Sequence, residues 1–187
     1  KGNSSYNPNN AKNPLHIELD HFKSQDYLGY KDIKLSNGYH EPSFVREAML
    51  YTIYQKYSEA PRANFAQVYI NGQAWGVYTN VEAVTNTFLE DRFYTSDNTF
   101  VFGDNGGCDL RYKNNDSTSY YTPYTMKSTY GWADLMHLCD SLKNNISGIE
   151  NILDVDRTLW LHAYTNATVT LDSYLGNSKH NYRSRSI

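Results

Sequence analysis

Three stretches of this 187-residue chain combine residue types that could do chemistry. At the start, Gly2, Asn3, Ser4 and Ser5 make a small-residue loop, followed by Lys12 and a strand beginning near Leu15. Backbone N–H groups in such a loop can approach phosphate oxygens, and a lysine on the adjoining strand adds a point charge. An ordinary surface loop with a solvated lysine fits the same spacing. Near the end, Asp172 follows a long helical stretch, and Asn181 lies nine residues further on. A carboxylate that orients a hydroxyl nucleophile and an amide oxygen for Mg²⁺ are the parts of a phosphotransfer loop, although protein kinases generally separate them by about five residues. A polar surface turn is the alternative there. The third stretch, Asp104-Asn105-Gly106-Gly107-Cys108-Asp109, sets oxygen ligands around glycine turns in the manner of a calcium loop, yet Asn115 stands where a bidentate Glu is expected. A simple glycine turn is its default reading.

Other chemistries find less support. The histidines at 16, 21, 40, 137, 162 and 180 include no H-x-x-x-H pair, which disfavours a zinc enzyme, and no G-x-S-x-G elbow is present. Cys108 and Cys139 fit one disulfide of an exported protein or two thiols equally well. Seventeen basic against twenty acidic residues offer no basic field for nucleic acid, and no apolar run approaches the ~20 residues of a membrane span. Eighteen tyrosines, many asparagines and a mean hydropathy of -0.69 describe a surface polar by phenol and amide, as extracellular proteins often show.

The elements that must position these residues follow from periodicity. Leu15, Ile17 and Leu19 alternate with polar residues as a half-buried strand does, and a second short strand is expected near Ile33 to Leu35. From Ser43, a candidate N-cap, the residues Val45, Ala48, Met49, Thr52 and Ile53 share a helical face. Two β-rich runs, 66–70 and 75–81, flank Asn71-Gly72, the strongest short hairpin signal. A helix over 84–93 and a strand over 100–102 come next. The long stretch 103–124 reads as a loop, functional or mobile. Exposed-looking Tyr and Trp on the hairpin and the 112–130 loop could stack on sugars, although aromatic residues at strand positions are more often core or cross-strand pairs. Two helices follow, one with the stripe Trp132, Leu135, Met136, Cys139 and Leu142. The other is capped by Asp154 and expected to bury Val155, Leu159, Ala163 and Ala167. The layout is α+β, with a β-rich first half and a mainly helical second half.

The order of motifs resembles the spore coat protein H (CotH) kinase family across nearly the whole chain. The resemblance rests on Lys1-Gly2-Asn3-Ser4-Ser5 with Lys12, on Glu41-Pro42-Ser43-Phe44-Val45-Arg46-Glu47, and on Ala60-Pro61. Its most specific part is Val68-Tyr69-Ile70-Asn71-Gly72 through Gly76-Val77-Tyr78 and Glu82. Leu153-Asp154-Val155-Asp156, Asp172-Ser173-Tyr174 and His180-Asn181-Tyr182 complete it.

The resemblance implies an atypical protein-kinase-like fold of two lobes, a small β-rich lobe over 1–82 and a large helical lobe over 83–187, truncated at both ends. In that mapping Gly2, Asn3, Ser4 and Ser5 cover the phosphates of ATP, Lys12 contacts them, and the helix bearing Arg46 and Glu47 orients the lysine. Glu82 lies near the connection between lobes and counts among the nucleotide-binding residues. Asp172 is implied as the catalytic aspartate and Asn181 as a Mg²⁺ ligand. The family's later W-D-x-D motif does not occur before Ile187, and Arg183-Ser184-Arg185-Ser186 departs from its aromatic pattern. The implied activity is transfer of the ATP γ-phosphoryl group to Ser/Thr of a spore coat or other surface protein. This fragment alone would be inactive. The implied setting is extracellular or surface-associated, with spore assembly inside the cell as another. The rival expectation is a non-catalytic surface adhesion or carbohydrate-associated module on the same fold.

Overall fold

In the computed structural model of the chain, the described residues are 5–95, 98–103, 107–170, 173–174 and 181–184, the last four through their backbone. They form a mixed α+β structure with antiparallel sheets, divided into two compact units, Lys1–Tyr94 and Thr95–Ile187.

In the first unit, the alternating segment becomes β1 (Leu15–Glu18), antiparallel to β2 (Asp32–Ser36), with Leu15 opposite Leu35 and Glu18 opposite Asp32. Opposed residues share a face. The hairpin therefore carries Leu15, Ile17, Ile33 and Leu35 on one side and His16, Glu18, Asp32 and Lys34 on the other. The Asn71-Gly72 turn links β3 (Ala63–Ile70) to β4 (Gln73–Val81); both turn residues have positive φ, 51° and 80°, as a two-residue primed turn demands. These strands complete a sheet of order β1-β2-β4-β3. Its buried residues include Leu35, Tyr78 and Thr79, and α2 (Asn86–Phe93) adds Phe88 and Leu89.

Helix α1 (Arg46–Tyr54) differs from expectation at its start and along its face. Ser43 is not the N-cap. The Glu41 carboxylate instead accepts hydrogen bonds from the Ser43 N–H at 3.2 Å, the Ser43 hydroxyl at 2.5 Å and the Arg46 N–H at 3.3 Å. A carboxylate at this end also complements the positive pole of the helix dipole. Of the expected stripe only Ala48 is buried, whereas Val45, Met49 and Ile53 are 38–50% exposed.

The second unit is not purely helical. A sheet of order β6-β5-β7 joins β5 (Phe100–Gly103), β6 (Thr125–Met126) and β7 (Asn181–Ser184), beside α3 (Trp132–Asn144) and α4 (Val155–Ala167). The stripe on α3 behaves as expected, with Leu135 and Cys139 buried and Trp132 and Met136 packed against them. Cys108 and Cys139 sit as buried thiols in that same cluster, with Val101, Tyr120 and Tyr124.

The cluster changes the reading of the tyrosine-rich loop. The Tyr124 hydroxyl accepts a hydrogen bond from the Leu110 N–H at 2.8 Å. That of Tyr120 accepts from the Lys113 N–H at 2.8 Å and donates to the Asn114 carbonyl at 3.2 Å. Each ring buries apolar area while its phenol satisfies loop backbone that would otherwise be stranded from water. These tyrosines are structural, and burial pushes the Tyr124 phenol well above its ordinary value.

Asp154 caps α4 as expected, accepting from the Arg157 N–H at 2.9 Å. The face predicted to be buried is not: Leu159 is 60% exposed, Ala163 and Ala167 are exposed, and Val155 is half-buried. Thr165 is the buried residue of α4, and His162 on the same side stacks against Tyr174 with ring centroids 5.7 Å apart. Among the described residues no helix is long and apolar enough to cross a membrane.

Candidate functional site

The loop that follows Ser5 has no apolar periodicity to order it, and asparagine side chains do so instead. The Asn13 amide nitrogen donates to the carbonyls of Asn7 at 2.9 Å and Asn10 at 2.7 Å, while its oxygen accepts from the Asn7 N–H at 2.9 Å. Asn37, just past β2, clamps both ends of the loop, its Nδ2 donating to the carbonyls of Ser5 at 3.2 Å and Lys12 at 3.1 Å.

So held, Lys12 projects over the sheet. Its ammonium lies 4.1 Å from the centre of the Phe44 ring and 4.9 Å from that of Tyr78. Its stem passes Gly76, where an added Cβ would stand 3.8 Å from Lys12 Cε. Ring faces stabilise a cation without neutralising it, and among the described residues Lys12 makes no ion pair. Desolvation holds its pKa below the ordinary lysine value. The Oδ1 of Asn37, whose Nδ2 holds the Lys12 carbonyl, is buried and lacks a hydrogen-bond partner among the described residues. Burial raises the Tyr78 phenol, outweighing the opposite pull of its hydrogen bond with the Trp75 side chain. A cation with no counter-charge among the described residues suits a ligand that brings negative charge.

Phe44 reaches Lys12 because Gly38 makes room for it. A Cβ on Gly38 would stand 2.6 Å from Phe44 Cδ1, and the glycine has φ of +65°. Gly38→Ala is therefore expected to destabilise the first unit by about 1–3 kcal/mol and to loosen Phe44 from Lys12. Urea unfolding and the near-ultraviolet signal would show it, and an unchanged midpoint would remove this role from Gly38.

Glu47 on α1 does not pair with Lys12; its side chain is hydrogen-bonded to Ser36. Burial raises its carboxyl above the ordinary 4.5, outweighing the Ser36 contact. The folded chain thus holds this proton more tightly than the unfolded chain, so stability falls as pH rises from 4.5 through the folded value. Glu47→Gln is expected to flatten that decline and leave the chain at least as stable at pH near 7. A pH series of urea midpoints checks this, and a variant with the same slope as wild type would contradict it. Arg46, the neighbouring residue, is exposed.

Glu82 is fully engaged within the first unit. Its Oε2 accepts from Arg92 Nη2 at 2.7 Å and from the Arg62 N–H at 2.9 Å, and its Oε1 accepts from the Tyr30 hydroxyl at 3.0 Å. The Arg92 guanidinium also lies 5.0 Å from the Phe88 ring centre. The pair is buried, with side chains 4% exposed for Glu82 and 14% for Arg92.

Of the residues singled out from sequence, the structure brings Ser5 and Lys12 together through Asn37. Gly2, Asn3, Ser4 and Asp172 lie outside the described residues. Asn181 opens β7 opposite Gly103, a strand that periodicity did not reveal. The calcium-like stretch lies partly outside the described residues, and the Asp109 carboxylate there pairs with Arg111 at 3.2 Å. Sequence reasoning missed Asn37, whose only signal was the Asn37-Gly38 turn, and passed over Phe44 and Tyr78 as site residues although both lie in the quoted motifs. Over residues 1–184 the chain matches the family model described as CotH kinase protein. No curated protein matches it.

Proposed function

Because the chain belongs to the CotH kinase family, we propose that it transfers the γ-phosphoryl group of ATP to a Ser/Thr hydroxyl of another protein, a spore coat or other surface protein being the partner class. The observation that carries this reading is the Lys12 ammonium, set against the rings of Phe44 and Tyr78 and free of any carboxylate among the described residues. That environment fits the phosphate oxygens of a nucleotide better than a solvated surface lysine or a structural ion pair.

In this reading the first unit serves as the small lobe and the second as the large. Lys12 and the backbone from Gly2 to Ser5 hold phosphate oxygens, and Asn37 keeps loop and lysine in register. Asp172 accepts the proton of the attacking hydroxyl as its oxygen bonds to the γ-phosphorus and the bond to the departing ADP oxygen breaks. Asn181 offers an amide oxygen to the metal. Mg²⁺, when bound, neutralises charge on the phosphate oxygens. Glu82 acts through the Arg62–Arg92–Tyr30 network, and the exposed Arg46 is available to the nucleotide.

The test is labelled ATP with Mg²⁺, the full-length protein and candidate surface proteins. Labelling by wild type and its loss in Asp172→Ala are expected; equal labelling by the two would sink the mechanism. One observation favours a carbohydrate- or surface-binding module instead: Phe65 and Tyr69 on β3 and Trp75 on β4 are 37–64% exposed. Retention on immobilised polysaccharide with no thermal shift in Mg-ATP would support that reading.

A further inference from the structure

The polar side of the β1–β2 hairpin gathers groups that the proposed phosphotransfer does not use. The register sets Glu18 directly opposite Asp32 and His16 opposite Lys34, all on one face. Two carboxylates placed directly across a strand pair repel and destabilise it unless a cation lies between them. Lys34 shares the face, yet it pairs with neither carboxylate, and the nearby Lys31 is taken by Asp20 at 3.0 Å. Imidazoles stand there instead: His16 Nε2 is 2.5 Å from Asp32 Oδ1, and His21 Nδ1 is 3.1 Å from Glu18 Oε2.

We infer that His16, Glu18 and Asp32 bind a divalent transition-metal ion of the zinc type. One ligand atom from each lies within 4.8 Å of the others, so small side-chain rotations bring them to the ~3.4 Å spacing that a zinc ion with bonds of about 2.0–2.1 Å requires. Two antiparallel strands fix the three backbones, which removes much of the ordering cost. One imidazole with two carboxylates favours zinc over magnesium or calcium, which take oxygen ligands alone. His21, hydrogen-bonded to Glu18, orients that carboxylate from outside the ligand set. Three protein ligands leave a position for water. Binding replaces the His16–Asp32 hydrogen bond with bonds to the ion, and Lys34 opposes the incoming charge.

The nucleotide-free chain, stripped with chelator, is titrated with zinc chloride in a calorimeter. One saturable site per chain is expected, at least tenfold tighter for Zn²⁺ than for Mg²⁺. His16→Ala and Asp32→Asn should each weaken it at least tenfold, Lys34→Ala should tighten it, and His137→Ala on α3 should leave it unchanged. Glu18→Gln replaces either variant that fails to fold by circular dichroism. Absence of a one-to-one site in wild type, or undiminished binding in folded His16 and Asp32 variants, overturns the inference. Neither outcome bears on the kinase reading, which places its metal elsewhere and is tested with nucleotide.

Discussion

If the chain transfers phosphoryl groups as proposed, Lys12→Met is expected to lower the transfer by about 10²–10³-fold, the loss typical when one preorganised donor to a charge-bearing oxygen is removed. Methionine keeps an unbranched stem along Gly76 and between the rings of Phe44 and Tyr78, and it removes only the ammonium. The cation–ring contacts contribute about 0.5–2 kcal/mol to folding, so the variant is expected to stay folded and to lose the proposed nucleotide binding. Lys12→Arg does not restore full activity, because a planar guanidinium cannot reproduce a compact ammonium enclosed by two rings. Initial rates with labelled ATP and a thermal shift in Mg-ATP read both effects. A folded Lys12→Met variant with wild-type transfer would remove the lysine from the site.

Arg92→Ala carries the largest expected cost in stability, about 3–5 kcal/mol, because it strands a buried carboxylate without its counter-charge. Glu82 keeps two neutral donors, the Arg62 N–H and the Tyr30 hydroxyl, which soften the loss without removing it. Tyr30 stays a donor: burial and the neighbouring Glu82 carboxylate raise its phenol above the ordinary value. The double variant Arg92→Ala with Glu82→Gln recovers much of the stability, since no uncompensated charge remains buried. Urea unfolding of the four species in a cycle measures the coupling. Additive single-variant effects would show that the pair is not the hub of the first unit.

Several features were legible in the chain because they depend on neighbours in sequence. Asn71-Gly72 dictates its turn, since both residues tolerate positive φ, and the turn then sets the pairing of 63–70 with 73–81. Asp154 caps α4 through a contact three residues away. The apolar stripe of α3 names its own buried face, and the quoted motifs point to the family that matches residues 1–184.

Other features depend on partners distant in sequence. The residues Val155, Leu159, Ala163 and Ala167 are spaced by four, and each such step rotates about 40° around a helix of 3.6 residues per turn. The row therefore drifts off any single face, and packing chose Thr165 and His162 instead. The stretch 103–124 reads from sequence as a functional or mobile loop because of its length. Its residues 107–124 are anchored because Tyr120 and Tyr124 bury their rings while their phenols serve the loop backbone. Likewise, Lys12 becomes more than a loop lysine through Asn37, Phe44 and Tyr78, which come from three separate segments. His16 and Glu18 were visibly on the polar side of a strand, but their meeting with Asp32 depended on a register that no local pattern encodes. Sequence by itself determined the turns, caps and strand alternation, because those energies lie within a few residues. Tertiary structure alone decided which charges are left without a counter-ion, because burial and register are properties of the whole sheet.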